Sequence, residues 1–410
     1  MSDRKKRRRK KNNWPSIELN VDVPLLLVVF LLLIFGILMV YSASWDFSLI
    51  NFGDAGQMFR RQLVSLLIGV VVAVVVSRID YRYLRKYAVP LVFVMVFGLL
   101  SVLIVGEVRY GSARALSAGS YMPGELAKVI TIIYLSVWLY SKRNSLSDVG
   151  YGIFPLIGIV GIISGLIMLQ PDISAAATIV FLGGLLFFLA GGEIKQIAYM
   201  LGGGTILAWL VVQFSATGSR RMAGFLQGLQ DPTLADYHVL RSYEAFVKGG
   251  WFGVGLGQAD TKLTGLPVPP TDSIFAVIGE ETGLLGTSLV VLLFAILLWR
   301  GLVISRRAPD MFGSLLAAGI SLWIALEAFI NMGVMIGMLP FAGNALPFIS
   351  YGGSNLVATL LAVGILMNIA RVSHTQERRK ERIEYATTRG RRSERGRGIS
   401  RARRAARAGR

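Results

Sequence analysis

The chain has 410 residues, of which 54% are hydrophobic and only 16% charged, with a mean hydropathy of +0.58; a water-soluble domain could not carry that composition on its surface. There is no cysteine, which excludes disulfides, thiolate nucleophiles and thiolate metal sites. The formal charge of +19 resides in the two ends: Arg4 to Lys11 is an unbroken basic run, and the stretch from Arg371 to Arg410 is basic against only Glu377, Glu381, Glu384 and Glu394. These residues lie in low-complexity tails without interleaved aromatics, which suits anionic lipid and argues against nucleic acid.

Apolar segments fall in chain order at 23–43, 62–77, 87–105, 126–140, 153–169, 174–191, 197–214, 274–299, 311–337 and 354–371. Together they predict an all-α, polytopic membrane protein of about ten transmembrane helices. The first segment follows a basic stretch and ends in Tyr41-Ser42-Ala43-Ser44, superficially like a signal peptide. It is too long for one and is followed by further spans, so it reads as a retained anchor. The organisation expected is a basic tail at 1–22, a membrane domain at 23–371 and a basic disordered tail at 372–410.

An even number of spans puts both termini on one side. Loops on that side would carry Arg78, Arg82, Arg85, Lys86, Lys142, Arg143, Lys195, Arg300, Arg306 and Arg307 in short segments. The opposite loops hold Arg60, Arg61, Arg109, Arg114 and five more spread through 215–273. The positive-inside rule therefore predicts cytoplasmic termini. Segment 215–273 becomes a long outer loop of a length usually reserved for function. Its aromatic residues suggest surface or re-entrant amphipathic helices, one around 236–248.

Ionisable residues inside apolar segments cost about 2.5 to 3.5 kcal/mol each at a helix centre, so those present are clues. Glu125 and Lys128 open the fourth segment at i, i+3 and can pair on one helical face. Asp172 follows the fifth in Gln170-Pro171-Asp172, and Asp272 precedes the eighth, with Glu280 and Glu281 two turns in. Asn331 sits in the ninth, and Ser350-Tyr351-Gly352-Gly353-Ser354 opens the tenth. By loop parity these clusters face away from the cytoplasm. No ATP is available there, so a reaction must use an activated substrate, most economically a lipid-linked one. Alternatives stand beside these readings. Glu125, Lys128 and Asp172 could form a structural ion cluster or touch substrate. Arg220 and Arg221 could anchor to headgroups or clamp a pyrophosphate. Asp272 could be a helix cap or a catalyst, and Glu280 and Glu281 suit buried hydrogen bonding. His238 suits a surface or hydrogen-bonding role. Gly253, Gly255 and Gly257 lack the strand-to-helix context of a phosphate loop and read as a turn.

Several separate stretches resemble the SEDS family (shape, elongation, division and sporulation), the FtsW/RodA proteins of bacterial wall synthesis. They are Tyr41-Ser42-Ala43-Ser44, Arg61-Gln62, Pro123-Gly124-Glu125-Leu126-Ala127-Lys128, Gln170-Pro171-Asp172 and Gly249 through Gly257. Thr271-Asp272-Ser273 through Glu281 and Leu346 through Ser354 complete the set, in order along 23–371. The resemblance implies a peptidoglycan glycosyltransferase that polymerises lipid II, a disaccharide-peptide on undecaprenyl pyrophosphate, at the outer face of the bacterial cytoplasmic membrane. It places the catalytic aspartate, a general base, at Asp272 and the intramembrane polar group at Glu125, Lys128 and Asp172. Arg61, Arg114, Arg220, Arg221, Ser350 and Ser354 join these as substrate-binding or structural residues. It implies a class B penicillin-binding protein and other divisome or elongasome proteins as partners. No cofactor is certain; a divalent cation such as Mg²⁺ or Mn²⁺ could neutralise the leaving pyrophosphate, as could the arginines. Gly124, Ser174, Ser273, Val268-Pro269-Pro270 and Asn355 depart from the family's usual residues, as does the stretch after Arg114. Ile278-Gly279-Glu280-Glu281 and Gly364 through Arg371 look more like FtsW, the division protein, than RodA. The competing readings are a lipid-linked precursor flippase or transporter, since polar groups lining a bundle suit translocation, and a non-catalytic scaffold.

Overall fold

Seven of the ten apolar segments lie within a single helix, and 153–169, 174–191 and 311–337 run one or two residues past theirs. The computed structural model describes residues 22–378 except 106, 110–111, 116–121, 171 and 215; the two tails lie outside the described residues, as does Pro171. The first three helices are α1 (Val23–Phe52), α2 (Gln57–Arg78) and α3 (Tyr83–Val105). After a short hairpin come α4 (Pro123–Lys142), α5 (Phe154–Met168, led in by a π turn at Val149–Ile153), α6 (Ile173–Leu189) and α7 (Ile194–Phe214). Helices α8 (Ala216–Gln230) and α9 (Tyr237–Gly249) belong to the long loop. The chain ends in α10 (Ile274–Arg307), α11 (Met311–Met335) and α12 (Gly353–Arg378). Among the described residues, seven helices are long and apolar enough to cross a membrane: α1, α2, α3, α5 with its π turn, α10, α11 and α12. Helix α6 is shorter at 17 residues, and α4 carries Glu125, Lys128 and Lys142. The last helix runs to Arg378, past the expected end of the membrane domain at 371.

Polar residues set the helix ends. Asp22 caps α1, accepting from Leu25 N at 3.1 Å, and its carboxylate pairs with Arg300 of α10 at 2.6 Å. Asp310 caps α11, accepting from Gly313 N at 2.8 Å. It also accepts from the buried Tyr81 hydroxyl at 2.9 Å, so one residue starts a helix and ties two loops together. Burial and the neighbouring Asp310 hold the Tyr81 phenol above its usual range.

Helices α11 and α12 form the centre. Their most apolar windows are 72% and 78% buried, against 11% for α2 and 22% for α3. The outer helices therefore present their side chains to lipid, and polar groups on α11 and α12 must find protein partners.

Two features depart from a purely helical reading. A two-stranded antiparallel hairpin, β1 (Glu107–Arg109) and β2 (Ser112–Ala115), lies between α3 and α4. This run carries Glu107, Arg109 and Arg114 and lacks the apolar length of a membrane span. The second feature is a break in α10, expected as a single helix over 274–299. Gly283 sits at φ 67°, ψ −165°, and a Cβ there would lie 2.5 Å from Gly253 N. The loop after α9 supplies the bonds that the break releases. Val254 N and Gly255 N donate to Glu280 O and Glu281 O at 2.9 and 3.1 Å, while Leu284 N and Leu285 N donate to Gly250 O and Trp251 O at 2.9 and 3.2 Å. Inside a membrane protein such an interruption persists only when neighbouring backbone completes it. Helix α9, at the position expected for an amphipathic loop helix, packs on α10 and α11.

Candidate active site

Asp272 stands just outside α10 on the side away from the chain termini. The N-cap position of α10 belongs to Ser273, whose side chain makes no cap hydrogen bond, so Asp272 is not the helix cap. The backbone from Pro270 to Asp272 is held from three directions. Asn331 of α11 donates from Nδ2 to Asp272 O at 2.8 Å and to Asn344 O at 2.5 Å. Ser350 Oγ donates to Thr271 O at 2.7 Å and accepts from Leu346 N at 2.7 Å. Tyr351 N donates to Pro270 O at 2.7 Å. Gln62 of α2 then grips the same turn, donating to Ser350 O and accepting from Gly352 N, both at 3.2 Å. The two flanking segments contain Val268 and Phe348, the non-glycine residues with positive φ (44° and 66°) among those described. Such backbone costs about 1–3 kcal/mol and persists only where surrounding contacts impose it. Gly343 approaches the Asp272 carboxylate: a Cβ at this position would lie 3.4 Å from Oδ2, and φ here is +57°, so a side chain is disfavoured twice.

Lys128 lies in the bundle interior, its side chain 5% exposed. Its Nζ is 2.9 Å from Glu125 Oε2 and also pairs with Glu327 Oε1 of α11; the Trp323 ring lies 5.5 Å away. Glu327 is the residue that sequence reasoning missed, although a lone carboxylate inside the 311–337 apolar run is the signal that the cost rule should have caught. Asp172, expected in this cluster, instead caps α6, accepting from Ala175 N at 3.2 Å and Ser174 Oγ at 2.9 Å. Among the described contacts Glu327 is the second carboxylate on Lys128. One lysine against two carboxylates leaves a formal charge of −1 in the interior.

The turn entering α12 connects the two halves. Ser354 Oγ accepts from Met122 N at 2.9 Å, and Asn355 Nδ2 donates to Glu125 Oε2 at 2.8 Å. Residues 346–352 hold Asp272 while 354 and 355 hold the start of α4. Along α11, Trp323, Glu327 and Asn331 repeat at i, i+4 and share one face, so α11 makes the same connection a second time. Glu327 Oε2 and Asn331 Oδ1 are buried acceptors with no protein donor among the described residues.

The arginines divide. Arg221 of α8 lies with its guanidinium 5.1 Å from the Phe341 ring centroid, two residues from Gly343 and thus against the Asp272 wall; Arg220 beside it is exposed. His238 stacks on the same Phe341 ring at 4.1 Å. Burial, together with the Arg221 cation and against the pull of Asp236, holds its imidazole below the usual range. Arg61 is exposed and lies over Phe52 at 5.7 Å. Arg114 falls on β2, and its side chain lies outside the described residues. Glu280 and Glu281 are buried hydrogen-bond partners. Glu280 accepts from Asp260 N at 2.9 Å and from Thr261 N at 3.2 Å. Glu281 pairs with the buried Lys262 at 2.7 Å, which reaches Ser42 of α1 at 3.0 Å. Gly253, Gly255 and Gly257 all have positive φ, as turn glycines do. Among the described residues no three His, Asp or Glu side chains gather as a metal would need.

A polytopic helical membrane protein with an immobilised acid at one end and a buried lysine–carboxylate cluster beside it is the class defined so far. The family model described as "Cell cycle protein", covering FtsW, RodA and SpoVE, matches residues 23–375, and the chain belongs to this family, the SEDS proteins. It is 40% identical over 357 residues to the "Probable peptidoglycan glycosyltransferase FtsW" of Trichlorobacter lovleyi, covering 85% of this chain and 93% of that one. It is 37% identical over 357 residues to "Stage V sporulation protein E" of Bacillus subtilis, covering 86% and 97%. In fold it resembles the rod shape determining protein RodA of Thermus thermophilus, with a TM-score of 0.65, 25% identity and coverage of 86% and 98%. A chain from a structure described as "Structural coordination of polymerization and crosslinking by a peptidoglycan synthase complex" aligns with a TM-score of 0.70, 24% identity and coverage of 87% and 99%.

Proposed function

We propose that this chain is the peptidoglycan glycosyltransferase that polymerises lipid II into glycan strands at the outer face of the cytoplasmic membrane, in cell division, with Asp272 as general base. The carrying observation is the placement of Asp272: outside α10, with Ser273 at the cap position, its own carbonyl held by Asn331 and those of Thr271 and Pro270 held by Ser350 and Tyr351, and glycine at its carboxylate. A base must be held in place while its carboxylate stays accessible, and this arrangement meets both needs. The acceptor sugar hydroxyl gives its proton to the Asp272 carboxylate as its oxygen bonds to the donor's anomeric carbon. The bond from that carbon to the pyrophosphate oxygen breaks, and the lipid pyrophosphate departs with the electron pair. Arg221 and Arg220 lie on the loop that walls this site and supply cations for the departing charge. No step is routed through a metal. The family's FtsW relatives favour the division role, and the synthase-complex neighbour favours a class B penicillin-binding protein as crosslinking partner. The basic tails add attraction to anionic lipid on the cytoplasmic side.

The test is Asp272→Asn in the purified full chain supplied with lipid II. Loss of the base should reduce polymerisation by roughly 10²–10⁴-fold with the melting temperature and lipid II binding retained. A stable variant that polymerises at the parental rate would remove Asp272 from the mechanism. An intact protein that makes no glycan but moves lipid II across vesicles would favour the flippase reading.

A further inference from the structure

At the opposite end of the bundle from Asp272, α1, α2 and α12 enclose a lateral groove with a volume of about 650 Å³. Its walls run from Leu26 to Leu33 on α1, from Val70 to Arg78 on α2 and from Leu360 to Arg371 on α12. Leu26, Phe30 and Val74 are 51–54% exposed, so the groove opens to the surroundings of the membrane helices. Its floor is the tight crossing of α2 and α12, where a Cβ on Gly364 would lie 2.6 Å from Ala73 O.

Three features define an occupant. The length of α12 along the groove is about 16 Å at ~1.5 Å per residue, matching one half of a hydrocarbon core about 30 Å thick. The walls are apolar until the mouth, where Arg78 and Arg371 both line the groove. Arg371 Nη2 donates to Arg78 O at 2.8 Å, which fixes one guanidinium on the end of α2 and uses one of its five donors. Neither arginine pairs with a carboxylate among the described residues. A single acyl chain spans this length, and the two cations at the mouth call for an anionic headgroup.

We propose that this groove is a binding site for an anionic glycerophospholipid of the leaflet next to the chain termini, with an acyl chain along α1, α2 and α12 and its phosphate at Arg78 and Arg371. Phosphatidylcholine carries the same phosphate but brings a quaternary ammonium next to the two cations, so the mouth favours a headgroup with net negative charge. The site is distinct from the candidate active site: Ser354 and Asn355, which hold α4, are on the first turn of α12, and Arg371 is about 25 Å further along it.

Phosphatidylglycerol carrying a photoreactive diazirine in its acyl chain, added to the full chain in phosphatidylcholine vesicles, tests this directly. Labelling should map to the groove segments of α1, α2 and α12. Unlabelled phosphatidylglycerol should compete and phosphatidylcholine should not, and labelling should persist in 1 M salt, where the charges of the basic tails are screened within about 3 Å. The pair Arg78→Gln with Arg371→Gln should lower groove labelling roughly 30-fold, and Arg78→Gln alone about 5-fold, at the contribution expected per arginine near the surface. Val74→Trp, at a half-exposed groove position, should block labelling by at least about tenfold while the tails and both arginines remain. Arg78→Gln and Val74→Trp keep the test valid if loss of Arg371 disrupts folding, which a melting curve would report. The proposal is overturned if phosphatidylcholine competes equally, if salt abolishes labelling, if these variants label like the parent, or if undecaprenyl phosphate displaces phosphatidylglycerol at lower concentration.

Discussion

Lys128→Met removes the single cation shared by Glu125 and Glu327, whose side chains are 20% and 4% exposed. Stranding a buried charge typically costs about 3–5 kcal/mol. The structure assigns most of that loss to Glu327, because Glu125 keeps a hydrogen bond from Asn355, whereas Glu327 takes its hydrogen bond from Lys128 and its second oxygen has no donor among the described residues. Glu327→Gln in the Lys128→Met background removes the stranded charge, so the double variant should be more stable than the Lys128→Met single variant. A double-mutant cycle should then give a coupling of about 2–3 kcal/mol, near the upper end for residues in one network. Reversible unfolding of the purified full chain in detergent measures stability, and glycan synthesis from lipid II measures activity in the same preparations. Activity should fall in both single variants, since α11 carries Glu327 and Asn331 on one face and a shift at one moves the other. Coupling below about 0.5 kcal/mol, the limit for independent sites, would refute the shared-charge account.

Three further outcomes follow from particular contacts. Asn331→Leu should lower polymerisation while melting drops by only about 1–3 kcal/mol, because it loses two hydrogen bonds that hold Asp272 rather than the bundle; parental turnover would show that Asp272 needs no support from α11. Gly283→Ala places a side chain at φ 67° against Gly253 N, so the 250–273 segment should become protease-sensitive and stability should fall by more than about 1 kcal/mol; an unchanged digestion pattern would contradict the broken-helix packing. A reporter active only outside the cytoplasm, fused after Arg378, should be inactive, and one inserted at 231–236 should be active; the reverse would overturn the orientation.

Much of the fold was legible from hydropathy, because the bilayer imposes a length of about 20 apolar residues on each span and penalises charges within it. Those two constraints are local, and they located the seven helices long and apolar enough to cross a membrane and the polar residues Glu125, Lys128, Asp172 and Asp272, while aromatic content pointed to the loop helix near 236–248. The motifs carried the family. What sequence could not decide is partnership, since Lys128 meets Glu327 across 199 residues of chain and Asn331 reaches Asp272 across 59. Nothing in periodicity records which helices become neighbours. Asp172 and Asp272 are both aspartates just before a helix, yet one caps its helix and the other does not, because the backbone at Asp272 is claimed by α11 and the turn entering α12. The break at Gly283 likewise depends on a loop thirty residues earlier in the chain that completes its hydrogen bonds. Apolar length and charge cost fix where the chain crosses the membrane, and only long-range packing decides which of its polar groups share a site.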